Sequence, residues 1–216
     1  MRRPLLCDLL TGKRSRASGS AIIHPVTAID LLRDVDKTYR ELQSLSTLMI
    51  SIQESGDEDS FNRSEQRVKA SFVAPDNVRM EQGGRKGTVT VASRGLVHSY
   101  FGMPKHYHKT TAGPSDHLFV GCFHPEFPSA SGPVLLFRRI SENIQHATIE
   151  REETLAINDG QIKCHVVSVV YEPPANPGWI VSMSPITFWI DSGEKLIRRM
   201  EVEVTHRFPD TRMRAP

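Results

Sequence analysis

Thr187–Val204, TFWIDSGEKLIRRMEVEV, decides the fold class. It reads as two β-strands joined by a tight turn. Phe188, Trp189 and Asp191 close the first strand, Ser192-Gly193 supplies the turn, and Leu196, Met200, Val202 and Val204 mark the return strand. Strand side chains alternate, so Trp189 and Asp191 face one way and Phe188 and Ile190 the other. A hairpin of this kind holds no nucleophile, metal cluster or phosphate loop. It points to a protein that presents a surface or a cavity.

Upstream, the same β character recurs in short alternating runs. Leu48–Ile52, Val68–Phe72, Val78–Gln82, Thr88–Ser93, Leu96–Phe101 and His106–Lys109 are predicted strands, separated by Gly, Pro and Asn/Asp signals such as Pro75-Asp76-Asn77 and Gly83-Gly84. Ala147–Leu155 and Ile162–Tyr171 add two more. Closely spaced strands with short turns predict an antiparallel meander. Pro25–Ser44 is different: Ile29, Leu32, Val35, Tyr39 and Leu42 recur at helical spacing, with Thr27 as N-cap and Asp30 in the first turn. Pro133–Ile140 reads as a short second helix. Between them, Thr110–Gly132 carries many Pro and Gly residues without periodicity, as an insertion within one sheet would.

The chain has 216 residues, 38% of them hydrophobic and 24% charged, which suits one globular domain with a substantial core. Its 27 basic and 25 acidic residues leave a net charge of +2, giving no reason to expect a nucleic-acid partner. No apolar run approaches the ~20 residues that cross a bilayer. The first residues, MRRPLLCDLL, have a basic start but an apolar stretch broken by Asp8, so no competent signal peptide is expected there. Residues 1–24 are expected to be disordered, 25–208 to form the domain, and 209–216 to be a tail.

Few residues suggest chemistry. His106 and His108 lie two apart on a predicted strand, so both project from one face. They are weak candidates for a metal site, and an exposed polar face of an edge strand is the better reading. Among Cys7, Cys122 and Cys164 there is no CxxC pair; Cys122–Cys164 is a candidate disulfide, and a buried thiol at Cys164 is the alternative. No GxSxG elbow and no phosphate loop occur. The positive signal is distributed: apolar and aromatic residues, among them Phe72, Met80, Tyr100, Val170 and Trp189, occur on many short strands. A curved sheet would gather them either into a packed core or into an apolar pocket.

The order of segments is informative as a whole. AIDLLRDVDKTYRELQSL, TLMISIQ, VKASFVAPDNVRME, RGLVHSY, KHYHK, KCHVVSVVYEPP and TFWIDSGEKLIRRMEVEV together resemble the outer-membrane lipoprotein sorting protein family, the LolA/LolB-like superfamily with its RseB-type regulators, over Ala28–Val204. By position, Pro75, Arg79 and Glu81 fall in its strand-turn motif, and Trp189 and Asp191 in its late strand. Ala74 stands where the carriers would place an arginine.

The resemblance implies an α+β fold: a strongly curved antiparallel sheet of roughly ten strands, forming a half-open β-barrel with helices covering its concave side. It implies a periplasmic, non-enzymatic, monomeric binding protein without cofactor, neither membrane-spanning nor nucleic-acid-binding. Its hydrophobic cavity would hold lipid or lipoprotein acyl chains, as carrier or sensor, with Phe72, Met80, Tyr100, Val170 and Trp189 as candidate lining. The alternatives are a regulatory protein that binds a membrane-associated protein and, more distantly, a metal-dependent enzyme.

Overall fold

Thr27 begins the helix that the apolar spacing predicts. Its hydroxyl accepts a hydrogen bond from the Asp30 N–H at 3.1 Å and donates one to the Asp30 carboxylate at 2.6 Å, so two groups of the first turn are satisfied reciprocally. Helix α1 runs over Ala28–Glu41 and ends where Leu42 turns extended, inside both sequence-predicted limits. Leu31, Leu32, Val35 and Tyr39 are buried, as a single apolar stripe requires. These details come from a computed structural model, which describes residues 5–9, 26–56, 61–83, 87–102, 105–111, 137–157, 160–172 and 180–206.

The rest of the architecture is β. In chain order the strands are β1 (Leu5–Leu9), β2 (Ser44–Gly56), β3 (Phe61–Val73), β4 (Asn77–Gln82), β5 (Thr88–Ser93), β6 (Leu96–Phe101), β7 (His106–Thr111), β8 (Ile144–Ile157), β9 (Gly160–Tyr171), β10 (Ile180–Met183), β11 (Ile186–Asp191), β12 (Ile197–Glu201) and β13 (Val204–His206). Eleven of them form one sheet in the order β7-β6-β5-β4-β3-β2-β1-β12-β11-β9-β8, and β10 pairs with β13. Every pairing is antiparallel. The sheet is open, with β7 and β8 as its edges. No helix among the described residues is long and apolar enough to cross a membrane.

Two expectations change. Residues 1–24 were expected to lack order, yet Leu5–Leu9 form β1, which sits between β2 and β12 and joins the two halves of the sheet. Five residues interrupted by Asp8 carry too little local pattern to be read as a strand; long-range pairing on both sides makes them one. The eleven strands of the sheet agree with the roughly ten expected. Several helices were expected over the sheet, whereas among the described residues α1 is the one α-helical element of any length. Of Pro133–Ile140, the described part is a tight turn that begins at Phe137.

Two apolar clusters flank the sheet. The larger joins α1 to Phe72, Val78, Met80, Ala92, Val97, Val167, Val169, Ile186, Phe188, Ile190, Ile197 and Met200, with Phe137 and Ile140 from the turn after the loop. The smaller, Cys164, Val166 and Trp189, lies on the opposite face. Alternation along β9 and β11 accounts for the split: Val167, Val169, Phe188 and Ile190 face α1, while Val166 and Trp189 face away.

Candidate functional site

The α1 side of the sheet is the interior, and its two halves differ. On the β9–β12 half, aromatic side chains fill the space. Phe137 stands edge-on between Tyr39 and Phe188, with ring centroids 5.2 and 6.4 Å away. The Tyr39 hydroxyl accepts a hydrogen bond from the Ile197 N–H at 3.2 Å, fixing the helix to β12. Complete burial drives the Tyr39 pKa well above that of an ordinary phenol.

The β3–β6 half is lined by smaller or more adaptable side chains. Register aligns Phe72, Val78, Ala92 and Val97 in one row across the strands, and Ala70, Met80, Thr90 and Ser99 in the next. All are buried except the half-buried Ser99, whose hydroxyl lies 3.2 Å from that of Thr90. Two of the sequence-predicted lining residues, Phe72 and Met80, therefore sit together here.

Polar contacts hold α1 and the Phe137–Asn143 turn over this face. Arg138 donates to the Tyr39 carbonyl at 3.0 Å and the Pro75 carbonyl at 2.8 Å, and its guanidinium lies 4.5 Å from the Phe72 ring centroid. One side chain thus satisfies a carbonyl in the last turn of α1, fastens the β3–β4 turn and caps an aromatic ring. Burial, with the nearby Arg40 charge, lowers its pKa from that of a free guanidinium. Arg40 answers with a 2.7 Å bond to the Arg138 carbonyl. Asp36, on the buried side of α1, accepts hydrogen bonds from the Ser141 N–H and hydroxyl; burial outweighs them and raises its pKa above the ordinary carboxylate value. None of these roles was legible in sequence, where Arg138, Ser141 and Asp36 look like ordinary turn or surface residues.

The other predicted residues are dispersed. Trp189 is not on the α1 side: it is 3% exposed on the opposite face, beneath the Arg199 guanidinium at 4.5 Å and with that of Arg151 at 6.0 Å from its ring. Its indole N–H is buried and meets no acceptor at full hydrogen-bond geometry, but it still acts on Glu153; with Arg151 and Arg199 it holds that carboxylate below its usual pKa. Sequence alternation separated Trp189 from Phe188 correctly but could not say which face the helix would cover. Val170 is half-buried, and alternation with Val167 and Val169 turns it away from α1 as well. Tyr100 is 44% exposed on that same outer side, not in the interior.

Asp191 organises its own turn. One carboxylate oxygen accepts the Gly193 and Glu194 N–H groups at 2.8 and 3.0 Å; the other accepts two bonds from the buried Arg198 at 3.1 and 2.7 Å. Burial pushes its pKa up, but Arg198 and the two N–H groups outweigh that and hold it below the ordinary value. Pro75 supplies the carbonyl that Arg138 grips. Arg79 pairs with Glu81 on the outer face at 2.6 Å and, as hydrogen-bond donor and nearby charge, lowers the Glu81 pKa.

His106 and His108 are exposed and share a strand face, while His98 projects to the other side, bonded to the Tyr107 hydroxyl. No group of three His, Cys, Asp or Glu residues suited to a metal ion occurs among the described residues. Cys164 is fully buried, and burial above all pushes its thiol up to about 11, with Asp191 adding to the rise. Cys122 and the Thr110–Gly132 loop beyond Thr111 lie outside the described residues.

No family model matches the chain, and no curated protein matches it. Among solved structures it is similar to a domain from Vibrio parahaemolyticus that carries the name of an outer membrane lipoprotein-sorting protein. The identity is 15%, the match covers 83% of this chain and 72% of that one, and the TM-score is 0.36.

Proposed function

We propose that this chain is a non-enzymatic binding protein that holds an acyl chain between α1 and the β3–β6 half of the sheet. The observation that carries the reading is the uneven interior. Tyr39, Phe137 and Phe188 pack over the β9–β12 half, whereas on the other Phe72 is the one ring beside Ala70, Val78, Met80, Ala92 and Val97, with no charged side chain among them. A flexible thioether among small aliphatic groups suits a guest of variable shape.

Geometry supports an enclosed face. α1 has 14 residues, so it is about 21 Å long and about 10 Å wide. The cluster it joins runs from Val97 on β6 to Val169 on β9. At about 4.8 Å per strand those elements span roughly 38 Å if flat. A single cluster spanning those strands with one short helix in it is what a sheet curled as a half-open barrel would give. The motif order in the sequence, which resembles periplasmic lipoprotein carriers, supports this reading and, with it, a place outside the cytoplasm.

Ala92→Phe separates a chain-holding space from a packed core. If the space receives an acyl chain, the ring fits: the melting temperature holds while affinity for a fluorescent fatty-acid analogue falls about tenfold or more. In a packed core the same ring destabilises the fold by about 1–3 kcal/mol. That loss of stability, with no analogue bound by the unsubstituted protein, would overturn the proposal.

A further inference from the structure

We infer that the outer face of β2–β7 docks on an anionic lipid surface, a property independent of what the interior holds. Register places Leu48, Lys69, Glu81, Val89, Tyr100 and Tyr107 in one unbroken row across six strands. Arg79, Val91, His98 and Lys109 lie in the adjacent row, and Val73 and Leu96 in the next. At about 4.8 Å between strands and about 7 Å between same-face residues, these rows cover roughly 24 by 13 Å.

Exposure and charge both select this face. Of the seven large hydrophobic residues that stand exposed among the described residues, five are on it, Leu48, Val73, Leu96, Tyr100 and Tyr107, the last at 58%; Val26 and Ile29, at the start of α1, are the other two. The face also carries Arg63, Arg67, Lys69, Arg79 and Lys109 against Glu54, Glu65 and Glu81. Each of those carboxylates is already paired with an arginine, at 3.1, 3.5 and 2.6 Å. Lys69 and Lys109 make no ion pair within 4 Å among the described residues; Lys109 stands two residues from Tyr107 on the same strand face, and Lys69 lies opposite Glu81, whose carboxylate Arg79 already holds. Tyrosine, with an apolar ring and a polar tip, suits the headgroup level of a bilayer, and surplus lysines suit its anionic charge. The opposite edge contrasts with this one: β8 carries Glu150, Arg151, Glu152 and Glu153 in succession and two register shifts, devices that discourage association.

The test is co-sedimentation of the full chain with vesicles of phosphatidylglycerol and phosphatidylcholine, beside vesicles of phosphatidylcholine alone. Binding is expected to the anionic vesicles at about 0.1 M NaCl and to be lost near 1 M. Lys69→Gln/Lys109→Gln is expected to weaken it about tenfold or more, and Tyr100→Ser to weaken it severalfold, both with unchanged melting curves. Lys163→Gln, the same charge change at an exposed site on β9, is expected to leave vesicle binding intact. Absence of pelleting, equal binding to uncharged vesicles, or binding that survives both outer-face variants overturns the inference. So does displacement by polyglutamate as effective as by anionic lipid, which would make an acidic protein the occupant.

Discussion

Removing the Tyr39 hydroxyl should uncouple α1 from the sheet while leaving the apolar packing in place. In Tyr39→Phe the ring keeps its edge-on contact with Phe137, but the Ile197 N–H loses the acceptor it meets at 3.2 Å. That N–H sits where the β11–β12 register shifts, and Ile197 is fully buried, so water has no easy route to replace the hydroxyl. A buried donor left without a partner costs about 1–3 kcal/mol. For a chain of this size the melting temperature should fall by roughly 2–12 °C. Urea denaturation followed by circular dichroism gives the free-energy change, and the urea slope should be unchanged because the surface exposed on unfolding is the same. Tyr100→Phe, at an exposed position, is the control and should cost under about 0.5 kcal/mol. If Tyr39→Phe is as mild as that control, α1 is not held to β12 in the way described.

The remaining expectations concern the outer turn and its neighbour. Asp191→Ala strands the buried Arg198 and uncaps the turn; the loss should be about 3 kcal/mol in urea denaturation, near the low end for breaking a buried pair because Glu194 still contacts Arg198 at 2.6 Å. The folded pKa of Asp191 lies below its unfolded value. Its contribution is therefore complete above about pH 4 and is lost as pH falls through the folded pKa, so the gap between the two proteins should narrow in acid. Asp36 runs the other way: its raised folded pKa favours the protonated form, so its contribution is present below about pH 4 and is lost as pH rises through the folded value. Asp36→Asn should flatten that loss. In a Cys7→Ser/Cys122→Ser background, Cys164 should resist alkylation near neutral pH in the folded protein and react once unfolded, because its thiol is buried with a pKa of about 11.

What the sequence revealed follows what each signal encodes. Alternation is local, so β5 and β6 emerge with the limits read from the chain, and Phe188 and Trp189 fall on opposite faces as expected. Which face meets the helix is a tertiary fact, and Trp189, expected to line the concave side, turned out to pack on the outside under two arginines. Leu5–Leu9 carry almost no local signal, yet pairing on both sides makes them the seam of the sheet. Arg138 was invisible for a related reason: nothing within a few residues shows that its targets, the Tyr39 and Pro75 carbonyls, lie across the chain from it. Asp191 was legible as a marked position but not in its role, since a turn cap and a lining residue use the same letter.

The most direct measurement of the central claim is mass spectrometry of the organic extract of this protein, purified without detergent from a bacterial host. An acyl lipid near one per chain is expected, reduced severalfold in Ala92→Phe while that variant stays folded. An extract without acyl lipid, from a protein that also fails to take up an added fatty acid, would contradict it and leave the β3–β6 interior as packed core.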